Sequence, residues 1–324
     1  MQQESLLKKK LLVMLGILGV SYSSIFIRFT GAPAVVIVFF RMGFAAIPLA
    51  LFVLVRSELR EELKSLEPRQ ILGALFSGVV LALHLTFYVQ SVHLTTISSA
   101  TLLVDTEVLF VALVASFLFR EKVSLSGKIG ILLALTGSVI LSAGDLLLGA
   151  AQGIGIVENA GFLGLKEAAS LESGAGLSSG MGQNRILGDV LALIGAVFLA
   201  VYTLLGSRLR KSVSTISYTF LAYAGASAVL LCTCLAASIP LTGWSHNDYF
   251  FSFLMTVFCT FMGHSIFNWG LKDLPAPFIS TCRLGEPVVA TILAVLLFSE
   301  VPGVHQIIGG VIVLAGLYIY CMRD

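Results

Sequence analysis

Apolar residues along this chain neither alternate nor return every third or fourth position. They run in blocks of about twenty, separated by short polar stretches. Ten blocks stand out, near 9–29, 33–55, 71–92, 96–119, 125–144, 188–207, 215–238, 250–271, 276–298 and 302–321. A helix rises about 1.5 Å per residue, so a block of this length crosses the hydrocarbon core of a bilayer. Lipid offers no partner to backbone N–H and C=O groups, which makes each block a predicted transmembrane helix. Lys8, Lys9 and Lys10 before the first block imitate a secretion signal. The run from Leu11 to Ile27 is longer than a signal's apolar region, however. The only A-x-A-like triplet, Ala32-Pro33-Ala34, contains proline and follows Arg28. The first block is therefore expected to stay as a span.

Composition sharpens this picture. Of the 324 residues, 57% are hydrophobic and 12% charged, with a mean hydropathy of +0.97. That charge content is about half the share of a soluble protein and excludes an ordinary soluble enzyme. A net charge of +2 is too sparse for a nucleic-acid footprint. Cys232, Cys234, Cys259, Cys282 and Cys321 all lie in apolar runs and read as small apolar residues, not as a disulfide framework or metal site. Orientation follows from the basic residues. With the N-terminus inside, the inner side carries Lys8–Lys10, Arg56, Arg60, Lys64, Arg69, Arg120, Lys122, Lys128, Arg208, Arg210, Lys211, Lys272 and Arg323, which is 15 of the 20 Lys and Arg. Arg28, Lys166 and Arg185 fall outside, and Arg41 and Arg283 lie within spans.

The chain also repeats itself. A shift of 179 residues lays Glu107 on Glu286, Glu121 on Glu300, Gly130 on Gly309 and Gly137 on Gly316. Each half holds five spans. An odd number inserts the second half upside down, so the expected fold is an all-α membrane protein of ten transmembrane helices in two inverted five-helix repeats. Residues 1–144 form the first repeat and 188–324 the second. Residues 145–187 form a Gly/Ser-rich connection on the outer side, expected to be mobile. Within it, Gly153-x-Gly155 lacks the third glycine of a dinucleotide loop, because Glu158 stands there, and no G-K-[ST] follows. No cofactor is predicted.

An ordered set of short motifs carries a family resemblance. The first half reads S-S-I-F-I-R at 23–28, A-P at 32–33, F-F-R-M at 39–42, F-R-E-K-V at 119–123 and a glycine-spaced stretch at 127–137. The second half reads N-W-G-L at 268–271, G-E-P-V-V-A at 285–290 and F-S-E-V-P at 298–302. The chain resembles the drug/metabolite transporter superfamily, EamA type, over nearly its whole length. The resemblance implies a ten-helix carrier in the cytoplasmic (inner) membrane with a central cavity, working by alternating access, often as an exporter of amino acids, other metabolites or drugs. Glu107 stands where many members carry a small polar residue or proline, and the 145–187 connection is longer than the family's usual link.

Ionisable groups inside spans are costly and mark function by default. Seven occur: Arg41, His84, Asp105, Glu107, His264, Arg283 and Glu286. Arg41 and Asp105 enter from the same side to equal depth, roughly 12 Å. They are expected to pair, either lining the cavity or joining two helices. Glu107, about 200° round the same helix from Asp105, faces apolar neighbours and is either protonated or paired with another helix. Arg283 and Glu286, three apart, are expected to be neighbours on one face, with Pro287 kinking the span beside them. His84 shares a face with Tyr88 and Ser91, and His264 with Asn268. Either histidine shuttles a proton or simply bonds a helix neighbour. Tyr22, Tyr202, Tyr223 and Trp269 occupy plausible interior positions. Glu121 and Glu300 read as helix-start anchors. Gly127, Gly130, Ala134, Ser138, Gly309 and Gly316 read as close-packing positions.

These residues point to a carrier for a small polar or zwitterionic, amino-acid-like metabolite or a drug, with protons or the solute gradient as driver, acting as a monomer or homodimer in lipid. The candidate substrate or coupling residues are Arg41, His84, Tyr88, Asp105, Glu107, His264, Asn268, Trp269, Arg283 and Glu286. A lipid-handling flippase or a membrane-embedded enzyme is the alternative. An enzyme calls for a nucleophile–base set or a metal-ligand cluster, and neither is visible.

Overall fold

The computed structural model describes residues 2–95, 97–118, 124–152, 180–298 and 302–323. It is helical throughout these residues. The first half comprises α1 (Gln2–Val20), α2 (Ser23–Ile27), α3 (Ala34–Val55), α4 (Ser57–Ser65), α5 (Pro68–Leu94), α6 (Ile97–Asp105), α7 (Glu107–Leu118) and α8 (Leu125–Gln152). The second half comprises α9 (Gly180–Leu209), α10 (Thr215–Ala236), α11 (His246–Met255), a π-helical segment Thr256–His264, α12 (Ser265–Gly270), α13 (Ala276–Arg283), α14 (Glu286–Phe298) and α15 (Val304–Arg323). Among the described residues, seven helical stretches are long and apolar enough to cross a membrane, and Leu125–Leu141 and Val304–Tyr320 are shorter apolar stretches. The helices at 144–152 and 180–187 extend into the predicted connection, since Leu and Ala in the first stretch favour helix. Residues 153–179 lie outside the described residues, as do Glu121 and Glu300.

Local chemistry sets the helix ends. Glu67 and Gln70 form a capping box at the start of α5, with Pro68 in its first turn. Ser214 caps α10, and Ser245 with Asp248 forms the capping box of α11. The polar ends sort into two groups. At one end, Lys9 pairs with Asp273 at 2.7 Å. There Glu62 accepts from the Ser214 amide and hydroxyl and from Ser217, at 2.6–2.7 Å. Burial pushes the Glu62 carboxyl up, but these donors and the nearby Arg210 outweigh it and hold it below its ordinary value. At the other end, Asp248 accepts from the amides of Gly31 and Ala32, and Asp189 accepts from Thr95 and Ser99.

Four expected spans are not continuous α-helices. The fourth breaks at Thr106, whose hydroxyl bonds the Leu103 carbonyl at 2.6 Å and so competes with the helical ladder. Asp105 and Glu107 therefore belong to different helices, and the argument placing them on opposite faces of one helix fails. The ninth breaks between Arg283 and Glu286, where Leu284 and Gly285 donate three residues back instead of four and Pro287 brings no amide. The first breaks after Val20. The eighth widens into the π-helical segment, where the Ser265 amide reaches Thr260, five residues back.

The two halves interdigitate: α5 packs along both α9 and α10, and α3 packs on α10. A close crossing also joins α8 to α15. A Cβ added at Gly130 would meet the Gly316 carbonyl oxygen at 2.8 Å, and one at Gly316 the Gly130 oxygen at 2.7 Å. Gly137 and Gly309 stand in the same reciprocal relation. The helices run antiparallel, since 130 to 137 faces 316 to 309. Glycine here brings backbone against backbone, as the sequence pattern predicted.

Candidate functional site

The broken and widened helices deliver the site. A cavity of about 40 Å³ lies between the halves. The first half lines it with Val20, Ser23, Arg41, His84, Leu85, Tyr88, Thr101 and Val104, the second with Leu199, His264, Arg283 and Glu286. Six of the ten sequence-derived candidates thus converge: Arg41, His84, Tyr88, His264, Arg283 and Glu286.

Arg41 is 1% exposed. Its Nε donates to Thr260 Oγ1 at 2.9 Å and its Nη1 to Ser23 Oγ at 3.3 Å. Thr260 sits in the π-helical segment, whose wide turn also lets Thr256 bond the Arg41 carbonyl at 2.9 Å. Asp105 accepts from Ser138 on α8 at 3.3 Å. The expected Arg41–Asp105 pair is therefore not formed. Equal depth fixes one coordinate only, and these side chains turn toward different helices.

Arg283 corrects a second expectation. Its Nη1 donates to both carboxylate oxygens of Glu107, at 2.6 and 2.8 Å, and to Thr203 Oγ1 at 3.0 Å. Thr203 also donates to Glu107 at 3.1 Å. The break at 284–285 removes the shared face that would have paired Arg283 with Glu286, and the cation bridges the halves instead. Its guanidinium also lies 4.9 Å from the Phe267 ring centre. Glu107 thus takes the paired state, its partner supplied by another helix. Among the described residues, neither Arg41 nor Glu286 makes an ion pair.

The histidines face each other across the halves, with ring centres 6.4 Å apart. His84 Nδ1 lies 2.9 Å from the Gly195 carbonyl on α9, a partner on another helix and not the helix neighbour considered from sequence. His84 stacks beside Tyr88 at 6.2 Å, as their shared face predicted. His264 lies 6.3 Å from Tyr202. Asn268 sits one step behind the cavity, its side-chain amide nitrogen donating to Tyr202 Oη at 2.7 Å, while its backbone carbonyl accepts from Arg210 Nε at 2.9 Å. Trp269 is half-buried and packs on the second apolar cluster, around Phe267 and Phe278, away from the cavity lining. Thr203, Thr260 and Ser138 escaped sequence reasoning as polar partners of the charged groups. Threonine and serine are common in apolar helices, and only the charged partner singles them out.

Residues 7–143 and 186–322 each match the EamA-like transporter family. An uncharacterized transporter of Clostridium kluyveri is 23% identical over 70% of this chain and 64% of its own length. An uncharacterized transporter of Archaeoglobus fulgidus is 24% identical over 41% of this chain and 47% of its own. The chain thus spans less than two thirds of the length of these curated relatives. A protein of known crystal structure superposes with a TM-score of 0.70 at 17% identity, covering 98% of this chain and 99% of that one, a likeness of fold. Two family matches that together span most of the chain, on two sets of apolar helices enclosing a charged cavity, place this multi-pass membrane protein in the EamA-like transporter family.

Proposed function

We propose that the chain is a secondary transporter that moves a small polar solute, amino-acid-like or drug-like, through the cavity between its halves by alternating access. In this reading ten spans form two inverted five-helix repeats. The protein exports its solute across the cytoplasmic membrane, with both termini in the cytoplasm. The single observation that carries the reading is the cavity itself: buried cations, a carboxylate and two histidines from both halves meet around about 40 Å³. Such groups are costly in a membrane unless they serve a path. That space holds about three water molecules, far less than a ligand pocket of about 300 Å³ or more. Solute entry therefore requires the halves to part, and the geometry resembles a contracted, occluded stage of a cycle.

Two further features support inverted repeats. The α8–α15 crossing is reciprocal and antiparallel, as a two-fold axis between equivalent helices requires. The fourth and ninth spans break in the same register, with Glu107 and Glu286 each opening the following half-helix. Counterflow of a radiolabelled metabolite panel in proteoliposomes tests the proposal. Glu286→Gln is expected to lower counterflow at least tenfold, about 1.4 kcal/mol, with folded yield within about twofold. Flux without counterflow would overturn the carrier reading, and equal loss of folding and flux would reassign Glu286 to structure.

A further inference from the structure

The transport proposal leaves the solute's chemistry open, and the cavity's hydrogen-bonding inventory narrows it. Four buried polar atoms without a well-formed hydrogen bond belong to residues that line this one cavity: His264 Nδ1, Arg283 Nε, and the hydroxyls of Tyr88 and Thr101, which lie beside each other. These residues are only 5–6% exposed. Buried polar groups in folded proteins are nearly always satisfied, so four orphans round one space mark a missing partner. The donor set says which kind. Arg283 Nε is a donor only, and so is every nitrogen of Arg41; the two hydroxyls and the imidazole can also donate. The one obligatory acceptor on the wall is the Glu286 carboxylate, when ionised.

Charge points the same way. Glu107 neutralises Arg283 across the halves, and among the described residues the side chain of Arg41, a buried cation, bonds the neutral hydroxyls of Thr260 and Ser23. A compact oxyanion head would take hydrogen bonds from the orphaned groups. Resting on the transport reading, we propose that this cavity binds the carboxylate or other oxyanion head of the transported solute, using Arg41, Arg283 Nε, Tyr88, Thr101 and His264. Glu286 is the built-in competitor for the same cations and donors. Its negative charge opposes an incoming oxyanion, so removing that charge strengthens oxyanion binding.

Thermal unfolding of the purified full-length protein in detergent tests this. The probes are sodium acetate, inorganic phosphate, acetamide and choline chloride at matched ionic strength, up to about 100 mM, since a ligand of the native state raises apparent stability. Acetate or phosphate is expected to raise the Tm, the stronger of the two naming the head, while acetamide and choline leave it unchanged. The half-saturating oxyanion concentration is expected to rise at least fivefold in Tyr88→Phe and Thr101→Val, and to fall in Glu286→Gln. A response to acetamide or choline with none to either oxyanion would overturn the assignment. So would an oxyanion response unaltered in all three variants, or no response to any probe. Counterflow separates the two proposals. Oxyanion binding with no counterflow of any solute defeats transport and spares the site. Counterflow of amines or neutral solutes alone defeats the site and spares transport.

Discussion

Arg283 and Glu286 illustrate what a residue reveals alone and what only its surroundings decide. That both are costly in lipid is plain from their types and positions, and the same holds for Arg41, His84 and His264, so the charged and imidazole part of the cavity wall was legible. The partners were not. Depth along a helix is readable from residue number, but azimuth is lost wherever a helix breaks, and a break lies beside Asp105 and another beside Arg283. The Arg283–Glu107 pair that results is buried on both sides, at 6% and 2% side-chain exposure. Removing one partner strands a charge, at about 3–5 kcal/mol. Arg283→Met and Glu107→Gln are therefore each expected to destabilise strongly. The double variant should be milder than their sum by about 1–3 kcal/mol, because no orphan charge remains. Denaturant titration in detergent measures all three, and strict additivity would show that the bridge between the halves contributes nothing as a pair.

At the scale of elements, existence and approximate length were legible for the seven described stretches long and apolar enough to cross a membrane, because a lipid-crossing helix needs a long apolar block. Interruptions were less so. The kink at Pro287 was expected from proline chemistry, whereas the breaks at Thr106 and after Val20 and the π-helical widening in the eighth span arise from side-chain competition and packing that no apolar average records. The glycine crossing was legible from spacing alone, and it yields a comparison within a single helix turn. A Cβ at Gly309 would stand 2.4 Å from the Leu141 amide nitrogen and 2.6 Å from the Gly137 oxygen, both backbone atoms. A Cβ at the adjacent Gly310 would meet only Val288 methyls, at 3.7 and 3.9 Å. Gly309→Ala is thus expected to destabilise by about 1–3 kcal/mol, the usual cost of overpacking. Gly310→Ala should be neutral or gain up to about 1 kcal/mol from better helix propensity. Thermal unfolding of the two variants side by side decides it. Equal effects would mean that α8 and α15 do not approach so closely.

The whole molecule inherits its sidedness from charge and its two-ended order from helix direction. Polar contacts sort by end as alternating spans require. Lys9 with Asp273, and Glu62 with Ser214 and Ser217, meet at one end. Asp248 with Gly31 and Ala32, and Asp189 with Thr95 and Ser99, meet at the other. Which end faces the cytoplasm follows from the Lys and Arg residues that the sequence places on the first side, 15 of 20 in the ten-span reading. A membrane potential and the insertion machinery act on those residues, so the Lys9–Asp273 end should face the cytoplasm. Both His246 and Lys272 are exposed, at opposite ends. His246→Cys is expected to react with an impermeant maleimide in intact cells, and Lys272→Cys only after lysis, once labelling of native thiols such as exposed Cys232 is subtracted. The reverse pattern would invert the molecule in its membrane and overturn the cytoplasmic placement of its termini. Labelling of both sites in intact cells would break the ordering of the spans itself.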